Sequence, residues 1–261
     1  MRTSGQLLWR TAGLLSLVSF LLFATGFVLA LNPQQLAPAK EAVPTAPEKA
    51  APVPAEGIRK VVALGDSLTR GAGDANGQGY AGLVRQVLEK KFGKPISFSN
   101  LAINGQESPD LVKQLGQEQV KAQLAEANLI LFTIGGNDLF SQTGGLYTID
   151  AKKLAAATKT LTANYEEIIR QIRAVNKQAT IVYTSLYNPF GDTYASAETI
   201  QPVLDWNHTA AGIAAKYPRV IVVPTYDLFV NKEKTYLYAD HFHPNTAGYE
   251  RIAQRILQAL D

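Results

Sequence analysis

From Ile58 to Asp261 the sequence alternates short apolar runs with longer stretches of helical periodicity, and few folds satisfy that alternation. Val61–Leu64, Ile96–Leu101, Leu129–Ile134, Thr180–Leu186 and Val220–Val223 have strand length; Val61–Leu64 and Leu129–Ile134 are strongly apolar, as strands covered on both faces must be, and Thr180–Leu186 is rich in β-branched residues. Between them, Gln78–Phe92, Pro109–Glu126 (interrupted near Gly116) and Asp150–Asn176 carry helical patterning. Ala197–Tyr217 does so largely after Pro202, and Asn245 begins a last helix with Tyr249, Ile252, Ile256 and Leu260 on one face. Strand, helix, strand, helix implies right-handed crossovers and a parallel sheet with helices on both faces. The expected fold is α/β, a three-layer α/β/α sandwich, over residues 58–261. No internal repeat is visible.

The first 57 residues follow other rules. Arg2 and Arg10 precede Thr11–Leu31, 21 residues without a charge. As a helix they would reach roughly 31 Å, the thickness of a bilayer core. Residues 1–31 are therefore expected to be a transmembrane anchor or a signal peptide. The run exceeds a usual signal core, although Val28-Leu29-Ala30 would pass as a cleavage site. The arginines would stay cytoplasmic and place the remainder outside, on the cell membrane or secreted if the segment is cleaved. Residues 32–57, rich in Pro, Ala, Glu and Lys, suit a disordered linker. With no cysteine in the chain, thiol catalysis, thiolate zinc sites and disulfides are excluded. The formal charge of +3 is spread without a basic block, so nucleic acid is not an expected partner.

Three polar clusters follow apolar runs: Gly65-Asp66-Ser67, Asn104-Gly105 and Gly135-Gly136-Asn137-Asp138. In a parallel sheet all three lie at the carboxyl edge, where ligands bind. A serine there becomes a nucleophile when a base reaches it. The histidines are His208, within a helical stretch, and His241 and His243 in Asp240-His241-Phe242-His243-Pro244, just before the last helix. A three-residue spacing lets one turn set the Asp240 carboxylate against the His243 imidazole. The Ser67 and Gly105 N–H groups and the Asn137 amide could serve as oxyanion donors. Asp66 and Asp138 are expected to brace their turns. The G-x-S-x-G elbow of the common α/β-hydrolases is absent.

These blocks, Gly65-Asp66-Ser67-Leu68, Gly105, Gly135-Gly136-Asn137-Asp138 and Asp240-x-x-His243-Pro244, resemble the four signature blocks of the GDSL, or SGNH, hydrolase family. The resemblance implies a flavodoxin-like sandwich, hydrolysis of acyl esters and no cofactor or metal. It implies Ser67 as nucleophile, Asp240 and His243 as its triad partners, and Ser67, Gly105 and Asn137 as the oxyanion hole. The tethered layout is similar to cell-surface lipases of this family from Gram-positive bacteria, with a small-molecule or lipid ester as substrate. Two other readings remain open: a zinc site built on Asp240, His241 and His243, and a non-catalytic envelope-binding module. Carbohydrate or cell-wall O-acetyl groups are an alternative substrate. The loops Leu139–Ile149 and Tyr187–Thr199 carry Phe140, Tyr147, Tyr187, Phe190 and Tyr194, which would line a pocket for short acyl chains.

Overall fold

The computed structural model describes residues 3–31, 57–141 and 149–261. The chain divides into two units, Met1–Glu48 and Lys49–Asp261. The first contains helix α1 (Thr3–Leu31), whose side chains Leu14, Leu15, Phe20, Leu22 and Phe23 are exposed. Among the described residues no helix is long and apolar enough to cross a membrane. Part of the expected anchor, residues 1–2 and the side chains of residues 3–8, 11, 12 and 28–31, lies outside the described set, as does nearly all of the expected linker.

The second unit is built on five strands: β1 (Lys60–Gly65), β2 (Ser97–Asn100), β3 (Leu129–Thr133), β4 (Thr180–Thr184) and β5 (Val220–Val223). They form one sheet in the order β2-β1-β3-β4-β5, and every pairing is parallel. This is the flavodoxin-like order, whose switch point lies between β1 and β3. Register sets Val61 beside Leu129 and Gly65 beside Thr133, so the turns leaving these two strands emerge side by side.

The helices between the strands are α2 (Ser67–Arg70), α3 (Gly79–Phe92), α4 (Ser108–Leu115), α5 (Glu118–Ala125), α6 (Gly136–Phe140), α7 (Ala151–Val175), α8 (Ser196–Ala214), α9 (Tyr226–Phe229), α10 (Glu233–Tyr236) and α11 (Thr246–Leu260). Strand residues alternate between two cores. Val61, Ala63 and Leu131 pack with Tyr80, Val84 and Leu88 of α3 and Tyr249, Ile252 and Ile256 of α11. Val62, Leu64 and Phe132 pack with Leu111 of α4, Tyr165, Ile168 and Ile172 of α7, and Trp206 of α8. Each fully buried Val, Leu or Ile contributes about 1.5–3 kcal/mol, and both faces of the sheet supply many.

Two boundaries differ from the pattern in the sequence. Helix α8 starts at Ser196 and runs through Pro202, because Val203 and Trp206 must reach the core and one missing N–H does not undo that burial. The other is the start of the helical stretch expected from Pro109, which begins one residue earlier at Ser108; its expected interruption near Gly116 is present, dividing it into α4 and α5 with Gln117 extended.

Candidate active site

Ser67 is placed by what precedes it. Gly65 ends β1 at φ +105°, and a Cβ there would lie 1.8 Å from the Thr133 carbonyl oxygen. Only glycine lets β1 turn this close to β3. Asp66 then caps α2, its Oδ1 accepting from the Leu68 N–H at 3.0 Å and the Thr133 hydroxyl at 2.6 Å. Ser67 is the first residue of that helix, so its N–H has no partner within the helix. Burial pushes the Asp66 carboxyl above its ordinary range, against the hydrogen bonds from Thr133 and Leu68 that favour its charge.

The imidazole arrives from the other end of the domain. Leu237 bridges Pro244, and the Tyr238 N–H donates to the His243 carbonyl at 2.7 Å, which closes residues 238–243 into a tight loop. Asp240 Oδ1 accepts from the N–H groups of Phe242 and His243, both at 2.9 Å. Its Oδ2 faces His243 Nδ1 at 2.7 Å, and His243 Nε2 lies 2.7 Å from Ser67 Oγ. Burial alone would raise the Asp240 pKa, yet the hydrogen bonds from His243 and the two backbone N–H groups hold it below the usual carboxylate range. An ionised carboxylate only accepts, so Nδ1 carries the proton and Nε2 is free to accept from the Ser67 hydroxyl.

The expected oxyanion donors stand at neighbouring turns. Asn137 is in the first turn of α6, and its Nδ2 donates to the carbonyl of Gln106 at 3.0 Å. That bond ties the amide to the turn containing Gly105, which is exposed with open space around it. Asp138 points the other way. It accepts from the Ser108 N–H at 2.9 Å and from the Ser108 hydroxyl, fastening α6 to the start of α4. Its burial likewise raises its pKa, opposed by the bonds from Ser108. Asp66 and Asp138 thus brace turns, as their positions suggest.

A cavity of about 40 Å³ opens on Ser67 and His243, walled by Leu68, Phe140, Leu186, Tyr187 and Pro189. A second, of about 300 Å³, shares Asn137, Phe140 and Phe242 and extends past Phe190, Thr193 and His241. Rings run in contact from Phe140 to Phe190 (5.5 Å), Phe242 (6.0 Å) and the His243 imidazole (5.0 Å). The expected aromatic lining is thus partly met. Tyr187 stacks on Phe229 at 4.1 Å and donates to the Phe242 carbonyl. Tyr194 is fully exposed and lines neither cavity, and Tyr147 lies outside the described residues. His241 lines the larger cavity, away from Ser67, and His208 is on the surface of α8. Among the described residues no group of three His, Cys, Asp or Glu side chains is arranged to hold a metal ion.

With a serine, imidazole and carboxylate in line at the carboxyl edge of such a sheet, comparison with known proteins is direct. The model of the GDSL-like lipase/acylhydrolase family matches residues 63–251. The chain belongs to this family. It is similar to the uncharacterized protein YpmR of Bacillus subtilis, 36% identical over 205 residues that cover 77% of this chain and 80% of that one. It is also similar to the spore germination lipase LipC of Bacillus licheniformis, 28% identical over 204 residues, 76% of this chain and 94% of that one. Among solved structures, a lipase from a goat rumen metagenome superposes with a TM-score of 0.66 at 24% identity, covering 77% of this chain and 97% of its own. That likeness speaks to the fold.

Sequence reasoning missed the residues that hold the family's blocks in place. Thr133 supports Asp66, and Ser108 supports Asp138. Thr133 ends a strand and Ser108 precedes a proline, so each looked like an ordinary boundary residue.

Proposed function

We propose that this member of the family is a serine carboxylic ester hydrolase. The observation that carries the reading is the chain Ser67–His243–Asp240, with 2.7 Å at each link. His243 Nε2 takes the Ser67 proton as Oγ adds to the ester carbonyl. The developing oxyanion is held by the Ser67 and Gly105 N–H groups and the Asn137 amide, each such donor typically worth about 10²–10³ in rate. The imidazolium, stabilised by Asp240, protonates the departing alcohol and leaves an acyl group on Ser67. Water, deprotonated by the same imidazole, then releases the acid and regenerates the hydroxyl.

The 40 Å³ cavity at Ser67 favours short acyl groups, which also supports O-acetyl groups on a glycan as a second substrate class. A membrane-held, extracytoplasmic location is part of the proposal. It is supported by the uncharged run Thr11–Leu31 behind Arg2 and Arg10 and by the exposed leucines and phenylalanines of α1. Protease protection and fractionation of the expressed full chain test that placement.

The chemistry is tested by p-nitrophenyl esters of increasing acyl length together with a fluorophosphonate probe. Short esters should turn over and the probe should label Ser67. Ser67→Ala should lose both while unfolding at the same temperature. A protein that neither turns over esters nor labels would be a binding module that kept the fold.

A further inference from the structure

The loop between α2 and α3 makes contacts that the chemistry above does not use. Its residues Gly71 and Ala72 both donate their N–H groups to the carbonyl of Ser67, at 3.0 Å. The Ala72 carbonyl in turn accepts from the Tyr249 hydroxyl of α11 at 2.7 Å. Two residues on, Asp74 Oδ1 accepts from the hydroxyl of Thr246, the first residue of α11, at 2.7 Å, and the same Thr246 oxygen accepts from the Ala75 N–H at 3.3 Å. Asp74 Oδ2 takes the N–H groups of Gln78 and Gly79 at 2.8 and 3.0 Å, which rigidifies the loop. Burial would raise the Asp74 pKa, but the bonds from Thr246 and the backbone outweigh it and keep the group ionised. Between these anchors Gly73, at φ +86°, lies directly against the histidine loop. A Cβ there would stand 2.6 Å from the Pro244 carbonyl oxygen and 3.0 Å from both the His243 and Tyr238 Cβ atoms.

Resting on the hydrolase reading, we infer that Gly71–Gly79 is a clasp that sets the distance between nucleophile and base, with Asp74, Thr246 and Gly73 as positioning residues. One end of the clasp holds the backbone of Ser67 itself. The other holds Thr246, three residues after His243. Asp240 fixes the imidazole within its own loop, and Tyr187 holds the Phe242 carbonyl of that loop, but neither contact reaches the backbone of Ser67. The clasp supplies that register, and a reacting pair displaced by about 1 Å can lose 10²-fold in rate.

The experiment compares Thr246→Val, Thr246→Ser and Gly73→Ala in the full chain. Valine keeps the shape of Thr246 without its hydroxyl, serine keeps the hydroxyl, and the Gly73 change wedges the two loops apart without removing any hydrogen bond. Turnover of p-nitrophenyl acetate, the rate of fluorophosphonate labelling at Ser67, amide exchange at Ala72 and the unfolding midpoint are measured together. Thr246→Val and Gly73→Ala should lose about 10- to 100-fold in kcat and labelling rate with KM within about two-fold. Ala72 exchange should quicken, the domain should remain folded, and Thr246→Ser should stay close to the parent. Unchanged labelling in Thr246→Val, or Thr246→Ser as slow as Thr246→Val, overturns the clasp. So does a rise in KM at constant kcat. A parent protein that does not label at all overturns the hydrolase reading, and the clasp with it.

Discussion

Asp240→Asn separates orientation from charge at the proposed triad. Asp240 Oδ1 holds two backbone N–H groups while Oδ2 faces His243 Nδ1. Asparagine has one acceptor for these two jobs. If its oxygen keeps the backbone donors, its NH₂ points at Nδ1 and forces the imidazole proton onto Nε2, where it can no longer accept from Ser67. If the amide flips, both backbone donors face an NH₂ group. At about 1 kcal/mol per hydrogen bond, the two backbone bonds favour the first, inactive arrangement by about 2 kcal/mol. The wrong tautomer at a triad lowers kcat by about 10⁴. Here the Asp240 side chain is 40% exposed, so solvent screens part of the charge effect but none of the tautomer effect. The expected loss in kcat is about 10³- to 10⁴-fold, or about 4–5.5 kcal/mol of barrier. Steady-state hydrolysis of p-nitrophenyl acetate reads it, with KM as the control for binding. A variant within about tenfold of the parent kcat would refute the tautomer argument.

Three further outcomes follow from other contacts. Tyr183→Phe should destabilise the domain by about 2–4 kcal/mol, because the Tyr183 hydroxyl both donates to the Ile134 carbonyl and accepts from Trp206 Nε1 in the buried core; urea unfolding measures it, and a change below about 0.5 kcal/mol contradicts it. Leu186→Ala should raise the hexanoate-to-acetate ratio of kcat/KM about 10-fold, the worth of one to two buried methylenes, because Asn207 pins the Leu186 backbone at both N–H and C=O and only the cavity wall retreats. Asp66→Asn keeps both Oδ1 bonds and removes a buried charge whose native pKa is raised; the native protein therefore loses stability as pH rises from about 4, the unfolded carboxylate value, so the variant's advantage in unfolding midpoint should grow over that rise, and a difference constant with pH would sink the linkage.

The sheet was legible because its central strands are short apolar runs, although the edge strand β2, Ser97-Phe98-Ser99-Asn100, is not. Val61–Leu64 and Leu129–Ile134 need cover on both faces, and their alternation with helical stretches points to a parallel sheet between helices as what provides it. The helices α2, α6, α9 and α10 were not legible, since four or five residues cannot display a helical period. At the site, Ser67, Asn137 and the Asp240-to-His243 pair could be read because each sits where a strand or loop meets the carboxyl edge. His243 rather than His241 was the sequence choice for the base, on its spacing from Asp240 and the proline after it. In the structure His241 takes φ +53° and lines the larger cavity, while His243 Nε2 lies against Ser67.

The deeper limit is separation along the chain. Ser67 and His243 are 176 residues apart and Asp74 and Thr246 172 apart, and no local pattern encodes a distance across such an interval. What fixes it is the packing of α3 against α11 over the sheet face formed by Val61, Ala63 and Leu131. The clasp hangs from the N-terminal ends of those same two helices. A change in how they pack therefore reaches the reacting pair through the loop joining α2 to α3. On this view, substitutions deep in that core, such as one at Tyr249, should alter catalysis through geometry before they unfold the domain. The Tyr249 ring is buried between the helices while its hydroxyl holds the Ala72 carbonyl, so packing and nucleophile position are coupled in one side chain.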